Sequence, residues 1–123
     1  MLNFKEKPII AMLHLKGRSN GEIMERMIKE TDIYYRNGVD AVLVENYFGN
    51  TDHCIQGLEY LHKNMPDRIY GVNILGDYRK AFELAGKHNA DFIQIDSVCG
   101  HLPPGLDSVY GDELMSLMKD RTF

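Results

Sequence analysis

One pattern recurs four times along the chain: a short apolar run followed by a longer segment whose apolar residues recur at helical spacing. The runs are short, rich in β-branched residues and without helical period, which is typical of buried strands. They occupy residues 8–15, 39–46, 68–75 and 91–98. Because each helix carries the chain back across the sheet, the pattern predicts an α/β domain with parallel strands.

The residues between the runs supply helix start and stop signals. Ser19 or Asn20 can cap the first helix, since a side-chain oxygen accepts hydrogen bonds from first-turn amides. Asn37 and Gly38 tolerate the left-handed conformation that often ends a helix. After the fourth strand the pattern loosens, and residues 113–118 are predicted to form a last helix.

The number of repeats suggests part of a larger fold. A TIM (β/α)8 barrel has eight such units in about 250 residues, whereas this chain has 123 residues and four units. Residues 119–123 resemble the entry to a fifth strand, so we expect residues 1–123 to be the N-terminal half of one barrel domain. A truncated chain is favoured over a natural half-barrel that pairs with a second copy. The alternative fold is a flavodoxin-like open sheet, although residues 16–19 fit its first loop poorly.

Composition excludes several classes of protein. The net charge is −4 and no basic run exists, which disfavours a nucleic-acid surface. No apolar run approaches the roughly 20 residues that cross a bilayer. Cys54 and Cys99 form no CxxC pair, so a reducing cytoplasm and packed thiols are expected. Because open sheet edges recruit other strands, we expect a homo-oligomer or association with the missing C-terminal half.

Polar residues stand late on each predicted strand, where an apolar neighbourhood makes them costly unless they are paired or functional. Alternation places His14 on the face of Met12, Glu45 on that of Leu43, Asn73 on that of Gly71, and Asp96 on that of Gln94. Three of them are candidate catalytic groups. His14 can shuttle a proton near neutral pH, and Glu45 can act as a general base or a metal ligand. Asp96 is a candidate acid, base or ligand.

Each candidate also has a purely structural interpretation. His14 is equally well a hydrogen-bonded core histidine, Glu45 a carboxylate paired with a cation at the rim, and Asp96 the cap of the following turn. Asn73 can orient a substrate hydroxyl or carbonyl, whereas Gln94 is favoured as a hydrogen-bonding filler. Three other histidines are expected to be solvated: His53, His62 and His88.

No metal or cofactor is expected. Cys99 and His101, two residues apart, suggest a metal site at first sight, but two ligands without a second pair are a weak signal. The chain contains no HExxH, Walker loop, GxSxG or GxGxxG motif. The sequence therefore favours a small-molecule substrate handled by side chains alone.

Four segments together resemble the BtpA/SgcQ family: residues 8–15 (PIIAMLHL), 38–46 (GVDAVLVEN), 71–75 (GVNIL) and 90–94 (ADFIQ). The resemblance implies an aldolase-type barrel of about twice this length. It also implies kinship to phosphate-handling barrels such as phosphoribosylanthranilate isomerase. The family's strand-end residues carry over to four positions: His14, Glu45, Asn46 and Asn73. The family tends to have Arg and Asn where this chain has Gln94 and Asp96.

Two functions follow from that resemblance and from the polar strand ends. The first is an enzyme acting on a small phosphorylated or sugar-like metabolite, with Asn46, Asn73 and Gln94 binding the substrate. The second is a non-catalytic assembly factor, because one branch of the family is associated with photosystem I biogenesis.

Overall fold

The computed structural model describes residues 2, 4, 6–96 and 106–121, and for residues 106–111 it describes the backbone alone. Strands and helices alternate throughout this part of the chain. In order they are β1 (Ile10–Leu13), α1 (Asn20–Arg36), β2 (Ala41–Glu45), α2 (Thr51–Asn64), β3 (Ile69–Asn73), α3 (Tyr78–Lys87), β4 (Phe92–Ile93) and α4 (Leu106–Asp120).

The four strands form one parallel sheet in the order β1-β2-β3-β4. This confirms the predicted parallel pairing of consecutive strands. The order 2-1-3-4, which would mark the flavodoxin-like alternative, is not found. One row across the sheet joins Met12 to Leu43, Leu43 to Gly71 and Gly71 to Phe92, so these residues face the same side.

The sheet is open, and the prediction of a TIM (β/α)8 barrel is therefore wrong. Among the described strands, β1 pairs only with β2 and β4 only with β3, whereas a barrel closes by pairing its first strand with its last. The structure is a small α/β domain with one all-parallel sheet and four helices. The strand–helix repeat specifies which neighbours pair, but four units leave both outer strands without the partners that closure needs.

Helices α1, α2 and α3 cover one face of the sheet. Their buried residues form a single apolar cluster with alternate strand residues such as Leu13, Val44 and Val72. Strand β2 lies at the centre of this arrangement, and all five of its residues are buried. In the described part of the chain, no helix is long and apolar enough to cross a membrane.

The predicted boundaries of α1 are confirmed by its caps. Ser19 is the N-cap, and its hydroxyl accepts a hydrogen bond from the Glu22 amide at 3.2 Å. Asn37 is the C-cap, and Gly38 follows with φ +86°. That left-handed backbone is the one glycine adopts without steric cost, which explains why the helix ends there.

The fourth unit differs most from its prediction. Strand β4 contains only Phe92 and Ile93, and the expected strand residues 97 and 98 lie outside the described part of the chain. Helix α4 is longer than predicted, since it covers Leu106–Asp120 and not only residues 113–118.

Candidate functional site

The carboxyl ends of β1, β2 and β3 bring three polar side chains together on the face opposite the helices. Glu45 and Asn73 are direct partners in the register of β2 and β3. His14 follows β1, two residues after Met12, and therefore lies on the same side. The polar cluster, defined as His14, Glu45 and Asn73, thus follows from parallel pairing and strand alternation.

Glu45 is the centre of the polar cluster. Its side chain is 7 % exposed, and its Oε2 accepts a hydrogen bond from Asn73 Nδ2 at 2.9 Å. Its Oε1 lies 3.7 Å from His14 Nε2. A buried carboxylate is costly unless donors or an opposite charge compensate it, and this one has an amide donor on one oxygen and an imidazole near the other. Since His14 is 42 % exposed, the cluster extends from the interior to solvent.

Asn73 has an acceptor without a donor. The residue is 1 % exposed, and its Oδ1 is buried with no hydrogen-bond partner among the described residues. Buried polar atoms in native proteins are nearly always satisfied, so an orphaned acceptor requires an explanation. A hydroxyl or amine group of a bound molecule would supply the missing donor.

Two aromatic side chains, which sequence reasoning missed, lie beside the polar cluster. Tyr47 and Phe48, called here the aromatic rim, are 60 % and 55 % exposed. The His14 ring lies 5.1 Å from the Tyr47 ring and 6.2 Å from the Phe48 ring, centroid to centroid. The ammonium group of Lys16 lies 5.0 Å from the Phe48 centroid. Their position directly after Glu45 and Asn46, at a strand end, was the available signal.

The other predicted site residues hold loops in place. Asn46 Oδ1 accepts a hydrogen bond from the Leu75 amide at 2.8 Å, which links the segments after β2 and β3. Asp96 Oδ1 accepts from the Gly76 amide at 3.3 Å. Asp96 and Gln94 are both exposed, and neither has a described contact with the polar cluster. The structure therefore brings together His14, Glu45 and Asn73, whereas Asp96 and Gln94 have no described side-chain hydrogen bond or ion pair with these three residues.

Among the described residues, Cys54 and the three histidines outside the polar cluster make no hydrogen bond or ion pair with its side chains. Cys54 is fully buried, and burial, with a smaller effect of the Glu45 charge, raises the pKa of its thiol to about 12. It is a packed thiol, as predicted, and not a nucleophile. Cys99 and His101 lie outside the described residues. Within the described residues, no three His, Cys, Asp or Glu side chains are grouped so that they could hold a metal ion.

One of the three histidines expected to be solvated is buried. His88 is only 6 % exposed, so that prediction is wrong for this residue. His62 is exposed. His53 lies in the first turn of α2, where its Nδ1 accepts a hydrogen bond from the Asn50 amide at 3.1 Å.

The structure also contains a cavity that the polar cluster does not line. Its volume is about 840 Å³, and it opens between the outer edge of β4 and the end of α4, where Phe82, Phe92 and Met118 line it. Asp91, one of the charged residues on its wall, already accepts a hydrogen bond from the Tyr70 amide. The polar cluster, with its orphaned acceptor and buried carboxylate, is therefore the stronger candidate site.

The chain is similar to uncharacterised archaeal proteins. It is 29 % identical to one from Thermococcus kodakarensis over 96 % of this chain and 53 % of that protein. It is 30 % identical to one from Methanocaldococcus jannaschii over 79 % of this chain and 44 % of that protein. No protein-family profile matches the chain, and no solved structure is significantly similar to it. The chain spans about half the length of the curated relatives that it matches.

Proposed function

We propose that this protein is an enzyme that moves a proton on a small phosphorylated or sugar-like metabolite. The observation that carries the proposal is the buried Glu45 carboxylate, held by Asn73 and lying 3.7 Å from a half-exposed His14. A histidine that faces solvent can take a proton from a bound substrate, and a buried carboxylate beside it stabilises the imidazolium that forms. The proton then returns from His14 to the product.

The substrate class is supported by polar chemistry at the cluster. The orphaned Asn73 Oδ1 suits a substrate hydroxyl. The Lys16 ammonium lies 5.0 Å from the centroid of the Phe48 ring, which is itself 6.2 Å from the His14 ring. The resemblance of residues 8–15 and 38–46 to the BtpA/SgcQ family supports a phosphorylated or sugar-like metabolite. A cytoplasmic location belongs to the same proposal, and the free, buried thiol of Cys54 suits a reducing compartment.

Exchange of carbon-bound hydrogen in D₂O tests the proposal. The protein is incubated with a panel of aldose and ketose phosphates, and deuterium incorporation next to the carbonyl is followed by NMR. We expect Glu45→Gln to slow the exchange by about 100-fold, because it removes the negative charge that stabilises protonated His14, the general base whose contribution is about 10²–10⁴-fold. Its melting temperature should change little, since the substitution keeps the shape of the side chain.

Glu59→Gln is the matched control, because Glu59 is an exposed carboxylate on α2. It should leave both exchange and melting temperature unchanged. If Glu45→Gln lowers the melting temperature and leaves exchange per folded molecule intact, then Glu45 is a structural ion-pair partner and the proposal fails.

A second candidate function is a non-catalytic assembly factor. The observation that favours it is the exposure of Ile9 and Ile10 at the outer strand β1, where they are 61 % and 41 % exposed. Apolar residues on an open strand edge favour pairing with another chain. This alternative predicts no exchange activity on any member of the panel.

A further inference from the structure

We propose that the aromatic rim and Lys16 form a subsite that binds the ring of a phosphorylated ring compound, while its phosphate lies near Lys16. This inference rests on the proposed function. It concerns the ring and the phosphate of the substrate, which would lie beyond the polar cluster. The Tyr47 and Phe48 rings lie 5.1 and 6.2 Å from the His14 ring, centroid to centroid, so a ring bound there would be held next to the proton-transferring group.

The aromatic rim exposes apolar surface, and the Lys16 ammonium lies over one face of the Phe48 ring. Tyr47 and Phe48 pack edge to face on each other with centroids 4.7 Å apart, which leaves more than half of each side chain exposed. Exposed aromatic surface is unfavourable in water unless something covers it. The apolar face of a sugar ring or the flat face of a heterocycle fits such a surface, because aromatic side chains stack on rings without demanding a particular hydrogen-bond pattern.

The segment that carries the aromatic rim is held in place. The Phe48 amide donates a hydrogen bond to the His14 carbonyl at 3.1 Å. Gly49 packs so closely that an added Cβ would lie 2.9 Å from His53 Nδ1 and 3.0 Å from Leu15 Cβ. Asn50 then caps α2 reciprocally with His53. A rigid segment loses little conformational entropy when a ligand binds, so the rings are preorganised for stacking.

The charge beside the aromatic rim suits a phosphate. A cleft of about 110 Å³ adjoins Phe48, and its lining includes His14, Lys16 and Arg26. Glu30 also lines the cleft, and its carboxylate accepts a hydrogen bond from Arg26 Nε at 2.9 Å. Lys16 lies over the Phe48 ring and adds a positive charge beyond this ion pair. A phosphate joined to the stacked ring would lie close to the Lys16 ammonium at the edge of the aromatic rim.

Ligand-detected NMR tests the subsite without any need for turnover. Three probes are titrated into the protein: ribose 5-phosphate, adenosine 5′-monophosphate and the acyclic glycerol 3-phosphate. We expect both ring phosphates to bind about tenfold more tightly than glycerol 3-phosphate, which is the scale of one stacked ring. Saturation transferred to adenine protons would identify a heterocycle as the stacked ring, and transfer to ribose protons in both ligands would identify the sugar.

Variants assign the preference to the aromatic rim. Tyr47→Ala and Phe48→Ala should each remove most of the ring preference, and Lys16→Gln should weaken all three probes by a similar factor. Ile33→Ala is the control, since Ile33 is an exposed apolar residue of comparable exposure on α1. It should change no affinity. Because Tyr47 and Phe48 are largely exposed, their variants should melt at the wild-type temperature.

Equal affinity for the three probes, absence of binding, or a ring preference that survives Tyr47→Ala and Phe48→Ala would each overturn the subsite. The proposed function is tested separately from the subsite. If both proposals hold, Glu45→Gln loses the exchange of carbon-bound hydrogen and keeps the preference for ring phosphates. A Glu45→Gln variant that keeps both the exchange and the ring preference would refute proton transfer by the polar cluster without contradicting the subsite.

Discussion

His88, the C-cap of α3, makes the stability of the folded chain depend on pH. Its side chain is 6 % exposed, and Nε2 has no partner among the described residues. Burial lowers the pKa of His88, as do Lys87 and His62, whereas Glu59 raises it. The unfolded chain therefore binds a proton at higher pH than the folded chain. Above about pH 6.5, His88 is neutral in both states and does not lower the free energy of unfolding. As the pH falls below that value and through the folded pKa, the unfolded chain takes up the proton first, and the folded state loses stability.

Thermal melts between pH 7.5 and 5 measure this effect. We expect the wild-type melting temperature to fall with acidification, and His88→Gln should flatten that dependence because glutamine does not titrate. His62→Gln is the matched control, and it should reduce the slope only slightly, since the His62 charge affects the pKa of His88 less than burial does. An unchanged slope in His88→Gln would show that other groups cause the pH dependence.

At the residue scale, strand alternation predicted that His14, Glu45, Asn73 and Asp96 converge, and the structure brings only the first three into contact. His14, Glu45 and Asn73 occupy one row of the sheet because of that alternation. Alternation does not reveal hydrogen-bond partners that come from other loops, and so it left open that Asp96 bonds the Gly76 amide. The exposure of Tyr47 was equally beyond prediction, because a side chain in a short loop has no periodic pattern.

Where β4 pairs with β3, a glycine and an aromatic ring approach each other closely. A Cβ on Gly71 would lie 2.5 to 2.7 Å from three atoms of the Phe92 ring. We therefore expect Gly71→Ala to displace the ring toward the cavity that it lines and to destabilise the fold by about 1 kcal/mol, the lower end of the range for overpacking. Chemical denaturation measures this difference in the free energy of unfolding.

Gly21→Ala is the matched control for that substitution. Gly21 lies in the first turn of α1, and an added Cβ would meet nothing within 4 Å. The change should be neutral or stabilise the chain by up to about 1 kcal/mol, because alanine is the better helix former. Equal effects of the two variants would mean that Phe92 yields to the added methyl group at no cost.

At the element scale, local chemistry predicted where most helices and strands begin and end. The caps of α1 depend on Ser19, Asn37 and Gly38 alone, and such signals are visible in any sequence. The length of β4 was overestimated, because residues beyond Ile93 resemble a strand in composition. Gln94 pairs one amide with Val72, but the ladder ends there, and pairing depends on the neighbouring strand as well as on propensity.

The molecule as a whole leaves apolar residues at the edge formed by β1. Ile9 and Ile10 are exposed there, and strand edges of this kind pair with other chains. We expect sedimentation velocity to show association that increases with protein concentration. Ile10→Lys should shift the population toward monomer, because a charged side chain on an edge strand opposes pairing. A chain that is monomeric at every concentration would contradict this expectation.

At this scale the sequence predicted strand order but not the closure of the sheet. Order follows from the regular strand–helix repeat, because consecutive units pack side by side. Closure depends on contacts between the first and last strands, and no local pattern in residues 8–96 encodes them. The repeat was therefore sufficient for the order β1-β2-β3-β4 and insufficient for the barrel that it suggested.

The central position of β2 has a consequence for hydrogen exchange. All five of its residues, Ala41–Glu45, are buried, and it pairs with a strand on each side. Its amides should be the slowest to exchange with solvent, opening only when the whole sheet unfolds, whereas the two-residue β4 opens in smaller fluctuations. Glu45 is the last residue of β2, so partial opening at the β4 edge would leave the carboxylate and its contacts with His14 and Asn73 in place. The hydrogen bond between Glu45 and Asn73 therefore persists for as long as β2 and β3 stay paired.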